Sequence, residues 1–187
     1  LFAKDAEAEL KEAENVDEIY FYDDFKNGLS KWSTVYNMSV NLDGQLETKN
    51  DRAVCKAVTT TEFDIGNLVL EHDLAVSNPA SNFMFVTDLR CKDKVDSVRI
   101  ILYKDKITVI PVQSAGAGRQ VYSAAVVEDD TMYRVRIRLV DDSLSYELKK
   151  IGENKFKKLF EMSGIQLTQK GQVSFLVSNA HAVIDNV

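Results

Sequence analysis

The 187-residue chain has few of the residues that break or cross-link a polypeptide: two prolines, eight glycines and two cysteines. So little proline and glycine excludes a collagen-like or low-complexity chain. No segment approaches the roughly 20 uninterrupted apolar residues that a membrane-spanning helix needs. The net charge of −6 argues against nucleic acid as a partner, because proteins that bind the phosphate backbone usually carry excess positive charge.

Soft metal ligands are equally scarce. Cys55 and Cys91 are the only cysteines, and His72 and His181 are the only histidines, which is a poor supply for a zinc site. The two cysteines could form one disulfide or remain two buried thiols, since the sequence does not contain their separation.

The sequence also lacks a nucleophile elbow and a histidine-rich zinc motif. His72 and Asp73 are neighbours, but adjacent strand residues point to opposite faces, so they do not form a catalytic pair. His72 instead shares its parity with Leu70 and Leu74. This parity predicts a histidine on an apolar face with its ring hydrogen-bonded.

What the chain does contain is alternation of apolar and polar residues, clearest in residues 131–149. A period of two is typical of a β-strand with one buried face. The pair Asp141-Asp142 interrupts it and has the chemistry of a turn, which predicts an antiparallel hairpin. The side chains predicted to be buried are Tyr133, Val135, Ile137, Leu139, Leu144, Tyr146 and Leu148.

Similar short strands separated by turn residues run through residues 20–187, including predicted strands at 20–25 and 32–40. They predict one all-β domain, an antiparallel two-sheet jelly-roll sandwich. Residues 1–19 differ, because their apolar residues recur every three or four positions and predict a short helix that leads or links to the sandwich.

Four segments resemble the concanavalin A-like lectin and glucanase superfamily, including its laminin G-like jelly rolls. They are the "DDF…GL…W" opening at 21–32, the "DGxL" hairpin at 43–46, the strand at 63–71 and the closing "DNV" at 182–187. The resemblance implies two curved antiparallel sheets with the first and last strands adjacent. It also implies a sugar-related role.

Related jelly rolls often carry one structural calcium ion, and the resemblance implies where it would bind. The ligands would be a carbonyl near Tyr22 or Asp23, the carbonyl of Gly44 and the side chain of Asp185. The alternative is that Asp185 only hydrogen-bonds backbone amides where the chain ends meet.

The glucanases of this superfamily carry a catalytic E-x-D-x-x-E strand. Here the segment starting at Glu62 and Asp64 has Asn67 where the second glutamate belongs. Asparagine cannot transfer a proton or act as the second carboxylate that glycoside hydrolysis requires. We therefore expect no glucanase activity and no catalytic residues.

A sugar site needs aromatic faces and planar polar groups. Arg134, Arg136 and Arg138 share one face of their strand, and Arg99 and Tyr103 share a face of another. If these faces line the concave sheet, they form a cationic groove suited to an acidic glycan.

The simpler interpretation is a solvated sheet face, in which the arginines pair with Glu71, Asp73 and Glu147 across neighbouring strands. The function we expect is that of a non-catalytic carbohydrate-binding or accessory domain of a larger extracellular or cell-surface protein. The alternatives are a structural or protein-interaction module, with neighbouring domains as partners, and an enzyme related to glycoside hydrolases.

Overall fold

The structure, a computed structural model, describes residues 21–49, 53–64, 66–91, 96–112, 118–122, 127–167 and 170–187. Within these ranges the chain forms fifteen β-strands, numbered β1 to β15 along the sequence, and no helix. The helix predicted for residues 1–19 lies outside the described residues. All strand pairs are antiparallel, which confirms the predicted all-β class.

The strands form two sheets. In spatial order, the eight-stranded sheet comprises β1 (Trp32–Tyr36), β4 (Cys55–Thr59), β14 (Lys170–Ser178), β7 (Met84–Cys91), β8 (Ser97–Leu102), β9 (Ile107–Val112) and β10 (Gln120–Tyr122), with β5 (Phe63–Asp64) also paired to β14. The seven-stranded sheet comprises β13 (Lys157–Met162), β12 (Ser143–Lys150), β11 (Tyr133–Val140), β6 (Leu68–Ser77), β15 (His181–Asp185), β3 (Leu46–Thr48) and β2 (Met38–Val40).

The hairpin of β11 and β12 has the predicted register, which runs from the Tyr133–Lys150 pair to the Val140–Ser143 pair. Its turn residues Asp141 and Asp142 have φ angles of 50° and 66°, as a two-residue type I′ turn requires. The seven side chains predicted to be buried are all buried between the sheets. The alternation in the sequence therefore predicted both the turn and the inner face.

Two predicted strands differ in the structure. The segment 32–40 divides at Asn37, whose φ is 53°, because β1 joins one sheet and β2 joins the other. Residues 21–25 are not a regular strand, since the Asp23 carboxylate accepts the Phe25 amide (3.0 Å) and forms a local turn instead. Asp23 and Val187 nevertheless exchange two backbone hydrogen bonds (2.8 and 3.1 Å), so the chain ends meet as expected.

The core between the sheets contains a row of aromatic rings. Phe25 stacks on Trp32, Trp32 lies 5.7 Å from Phe175, and Phe175 lies 5.7 Å from Phe85, measured between ring centroids. Trp32 is 5% exposed, and its Nε1 donates to Asp23 Oδ2 (2.6 Å). The single tryptophan is thus a core residue and not a surface platform for a ligand.

The register of β14 decides whether the two cysteines can pair. Cys55 lies opposite Val177 and Cys91 lies opposite Gly171, on different sides of the strand. Six residues of β14 span roughly 20 Å. Because a disulfide needs Cα atoms within about 7 Å, these two cysteines cannot be bonded within one chain.

Candidate functional site

The outer face of the seven-stranded sheet carries the three arginines of β11. Register places Arg134 between Asp73 and Lys149. Its Nε and Nη2 donate to the two carboxylate oxygens of Asp73 at 2.8 and 3.1 Å. The Arg134 side chain is 18% exposed, so this bidentate pair is largely withdrawn from solvent.

The next arginine, Arg136, is enclosed more completely. Its Nε donates to Glu71, and its Nη1 lies 3.8 Å from Glu147 Oε2. The Phe156 ring covers the guanidinium, with its centroid 3.9 Å from the arginine Cζ. Lys149 Nζ lies 4.8 Å from the same ring. This stretch of the face is a paired charge network beneath an aromatic ring and not an open cationic groove. The carboxylate partners are those that the solvated-face interpretation named, but the pairs are largely shielded from solvent.

The five candidate ligand-binding residues do not form one site. Arg138 follows Arg136 on β11, opposite Val69 and Ser145. Arg99 lies on β8 of the eight-stranded sheet, and Tyr103 directly follows that strand, on the other side of the sandwich. Alternation reveals which face of a strand a residue occupies but not which sheet the strand joins. The prediction that these five residues line one groove was therefore wrong.

Arg99 also has a carboxylate partner. Its Nε and Nη2 donate to Asp88 Oδ1 and Oδ2 at 2.7 and 2.8 Å, across the β7–β8 pair. The hydrogen bond with Asp88 raises the pKa of Arg99 above its ordinary value. The arginine remains 42% exposed, and Arg90 Nη2 lies 3.8 Å from the same carboxylate, so two arginines share one aspartate here. Sequence reasoning missed Asp88, because only the strand pairing reveals it.

The outer surface of the eight-stranded sheet mixes apolar and polar residues. Directly paired positions form one row across it, from β1 to β10: Tyr36, Lys56, Leu176, Val86, Ile101, Thr108 and Val121. We call this row the apolar row. At a strand spacing of about 4.8 Å, it extends for roughly 29 Å.

Exposure varies along the apolar row. Tyr36 and Val121, at its ends, are 61% and 53% exposed, whereas Val86 and Ile101 in the middle are 4% and 7% exposed. Thr108 is fully buried, and its Oγ1 has no hydrogen-bond partner among the described residues.

Exposed apolar residues concentrate on this sheet. Val54, just before β4, and Val112, at the end of β9, are each 48% exposed. With Tyr36 and Val121 they make four of the six large exposed apolar residues in the described part of the chain. Tyr103 directly follows Leu102, which pairs with Phe85. The Lys106 ammonium lies over the Tyr103 ring, 5.0 Å from its centroid. This surface therefore combines aromatic, aliphatic and planar polar groups.

The candidate calcium ligands lie near one another but are engaged with protein donors. Both Asp23 carboxylate oxygens accept hydrogen bonds, from the Phe25 amide and the Trp32 indole. Asp185 Oδ1 accepts from the Asn186 amide (2.9 Å) and Oδ2 from Gln45 Nε2 (3.2 Å). Within the described ranges, no group of three or more histidine, cysteine, aspartate or glutamate side chains is arranged to hold a metal.

His72 faces the core, as its parity predicted, but it is not hydrogen-bonded. Its ring lies 4.8 Å from Phe175 and 5.5 Å from Phe85, both on the opposite sheet. Neither ring nitrogen has a partner among the described residues. Burial lowers the pKa of His72 to about 4, and the neighbouring Asp73 opposes that effect only in part.

No protein-family model matches the chain, and no curated protein sequence matches it significantly. Solved structures do. The Lotus tetragonolobus seed lectin has a TM-score of 0.70 at 11% identity, over 90% of this chain and 96% of the lectin. The carbohydrate-binding module CBM66 from Bacillus subtilis has a TM-score of 0.63 at 13% identity, over 85% and 94%. The Bacteroides ovatus GH16 protein, solved with the product G4G4G3G, has a TM-score of 0.67 at 10% identity, over 89% and 98%.

The chain has the concanavalin A-like jelly-roll fold. At 10–13% identity, the likeness to these structures establishes the fold alone.

Within this jelly roll, the incomplete glucanase motif lies at a strand connection. Asp64 ends β5, and its Oδ1 accepts the Gly66 amide at 3.2 Å. The Asn67 amide donates to the Asp64 carbonyl at 3.3 Å. Glu62 and Asp64 are exposed. The described residues include no helix that is long and apolar enough to cross a membrane.

Proposed function

We propose that the chain is a non-catalytic carbohydrate-binding domain whose ligand lies across the outer face of the eight-stranded sheet. The observation that carries the proposal is the exposed aromatic ring of Tyr36, at one end of the apolar row. The fold of the chain, which is similar to those of a carbohydrate-binding module and a seed lectin, supports the proposal. The wider proposal is an accessory domain of a larger extracellular or cell-surface protein.

The chemistry of this face suits a sugar. A pyranose ring presents an apolar C–H surface, which stacks on aromatic side chains, and a rim of hydroxyl groups. Tyr36 offers the ring, and the Asp88–Arg99 pair offers a fixed donor and acceptor one row away.

Pairing of most arginines with carboxylates favours a neutral glycan, with Arg90 and Lys56 as further positive charges on this face. Arg99 shares its charge with Asp88, Arg134 with Asp73, and Arg136 with Glu71. A carboxylate or sulfate on the ligand would have to compete with these bidentate partners. This proposal therefore replaces the preference for acidic glycans that the arginine pattern suggested.

Calorimetric titration with neutral and acidic oligosaccharides selected on a glycan array tests the proposal. We expect Tyr36→Ala to weaken binding about tenfold, equivalent to about 1.4 kcal/mol. Arg138→Ala, on the opposite sheet, is the matched control and should bind normally. Affinity should not fall with added salt, because little net charge is involved. Equal binding by Tyr36→Ala and wild type would reject this face, and preference for acidic sugars would reject the charge argument.

A second candidate function is protein interaction without a sugar ligand. The observation that favours it is the exposed group Tyr36, Val54, Val112 and Val121, since exposed apolar patches often mark protein contacts. An empty glycan array together with concentration-dependent self-association, abolished by Tyr36→Ala, would support this candidate over the first.

A further inference from the structure

The place where the two ends of the jelly roll meet contains several oxygen atoms and two lysine ammonium groups. Tyr22 Oη donates to Asn186 Oδ1 at 3.1 Å, and Asn186 Nδ2 donates to Asp73 Oδ2 at 2.8 Å. Asp185 is the last residue of β15. Its carboxylate accepts a hydrogen bond from the side chain of Gln45, which lies in the turn before β3. This arrangement, which we call the chain-end junction, joins the first and last described segments.

The carbonyl oxygens that a calcium ion would use are already engaged. Lys31 Nζ donates to the Tyr22 carbonyl. The Asp23 carbonyl accepts the Val187 amide at 3.1 Å. A divalent ion at the Tyr22 oxygen would lie beside the Lys31 ammonium, and the repulsion between the two positive charges opposes it. An ion at the Asp23 oxygen would have to share that carbonyl with the Val187 amide.

Lys26 reaches the third expected ligand position, the turn at Gly44. Gly44 has a φ of +80°, and a Cβ added to it would lie 3.5 Å from Lys26 Cγ. The Lys26 side chain thus packs against this turn, and its Nζ is 2.7 Å from Asp24 Oδ2. The aliphatic part of Lys26 covers the turn while its charge reaches the acidic side chains.

The negative charge of the junction is balanced by side chains. Asp73 is held by Arg134, and Asp24 is held by Lys26. Asp185 is held by the Gln45 side chain and the Asn186 amide.

We propose that the ammonium groups of Lys26 and Lys31 replace calcium at the chain-end junction, so that this jelly roll closes without a metal ion. Lys26 supplies the positive charge beside Asp24, and the Lys31 ammonium donates to the Tyr22 carbonyl. The disagreement between the calcium-ligand resemblance and the structure follows from these two residues.

Thermal melts and calorimetric titrations with calcium chloride test the proposal. We expect the wild-type melting temperature to be unchanged by calcium or a chelator, with no binding heat. The double variant Lys26→Met, Lys31→Met should melt at a lower temperature and gain a rise with calcium, because the freed oxygens then face a net negative charge. The control Lys158→Met removes a lysine paired with Glu161 on β13 (3.0 Å) and should respond like wild type.

Two results would overturn the proposal. One is a wild-type melting temperature that rises with calcium and loses the response in Asp185→Asn, which would show that the ion binds beside the lysines. The other is a double variant that is as stable as wild type and whose melting temperature is equally unaffected by calcium. That result would show that the two lysines do not offset the negative charge of the junction. If the double variant does not fold, Lys26→Met alone is compared with Lys158→Met by the same criteria.

Discussion

Replacing His72 with leucine should remove a specific acid sensitivity from the fold. The imidazole is completely buried between Phe85 and Phe175, without a hydrogen-bond partner among the described residues. Protonating it would place a charge, only partly compensated by Asp73, in an apolar core. Leucine has a similar size and leaves no polar atom there, so we expect His72→Leu to fold with the same register.

The magnitude follows from the pKa. In the unfolded chain His72 titrates near 6.5, and in the folded state its pKa is about 4. Between these values the unfolded state binds a proton that the folded state does not, so the free energy of unfolding falls as the pH is lowered from 6.5 to 4. At about 1.36 kcal/mol per pKa unit, the full loss is about 3 kcal/mol. Below pH 4 both states are protonated and no further loss comes from this residue.

Urea unfolding at a series of pH values measures this loss, with the fluorescence of the buried Trp32 as the probe. Titrating carboxylates contribute to both proteins, so the difference between wild type and His72→Leu isolates the histidine. His181→Gln is the control, because His181 is the other histidine and its Nε2 lies 2.6 Å from Glu47 at the surface. A difference between wild type and His72→Leu that stays constant from pH 7 to pH 4 would refute the reasoning.

Three further predictions concern the core, the terminus and catalysis. Ile137→Ala should lower the free energy of unfolding by about 2–5 kcal/mol in urea melts, since Ile137 is fully buried, and an unchanged melt would contradict the register. Deletion of residues 1–19 should leave one cooperative thermal transition, and its loss would make that segment part of the core. Assays on β-1,3 and β-1,4 glucans should show no release of reducing ends, because Asn67 replaces the second carboxylate. Turnover that Glu62→Gln abolishes would overturn this last prediction.

Local pattern was sufficient for much of the fold. Alternation placed Ile137 inside and Arg136 outside, and it turned His72 towards the core, because side-chain direction along a strand depends only on parity. The Asp141-Asp142 pair marked a turn, because aspartate tolerates the left-handed conformation that the hairpin needs.

The sequence of a single strand does not determine which strand pairs with it in the sheet. The sequence by itself determined the all-β class, the hairpin and the inner face of each strong strand, since these depend on residues close together in the chain. Only the tertiary structure decided that Arg99 and Arg136 lie on opposite sheets, that Asp88 pairs with Arg99, and that Lys26 meets the turn at Gly44. Those contacts depend on strand order and register, which bring together residues from distant parts of the chain.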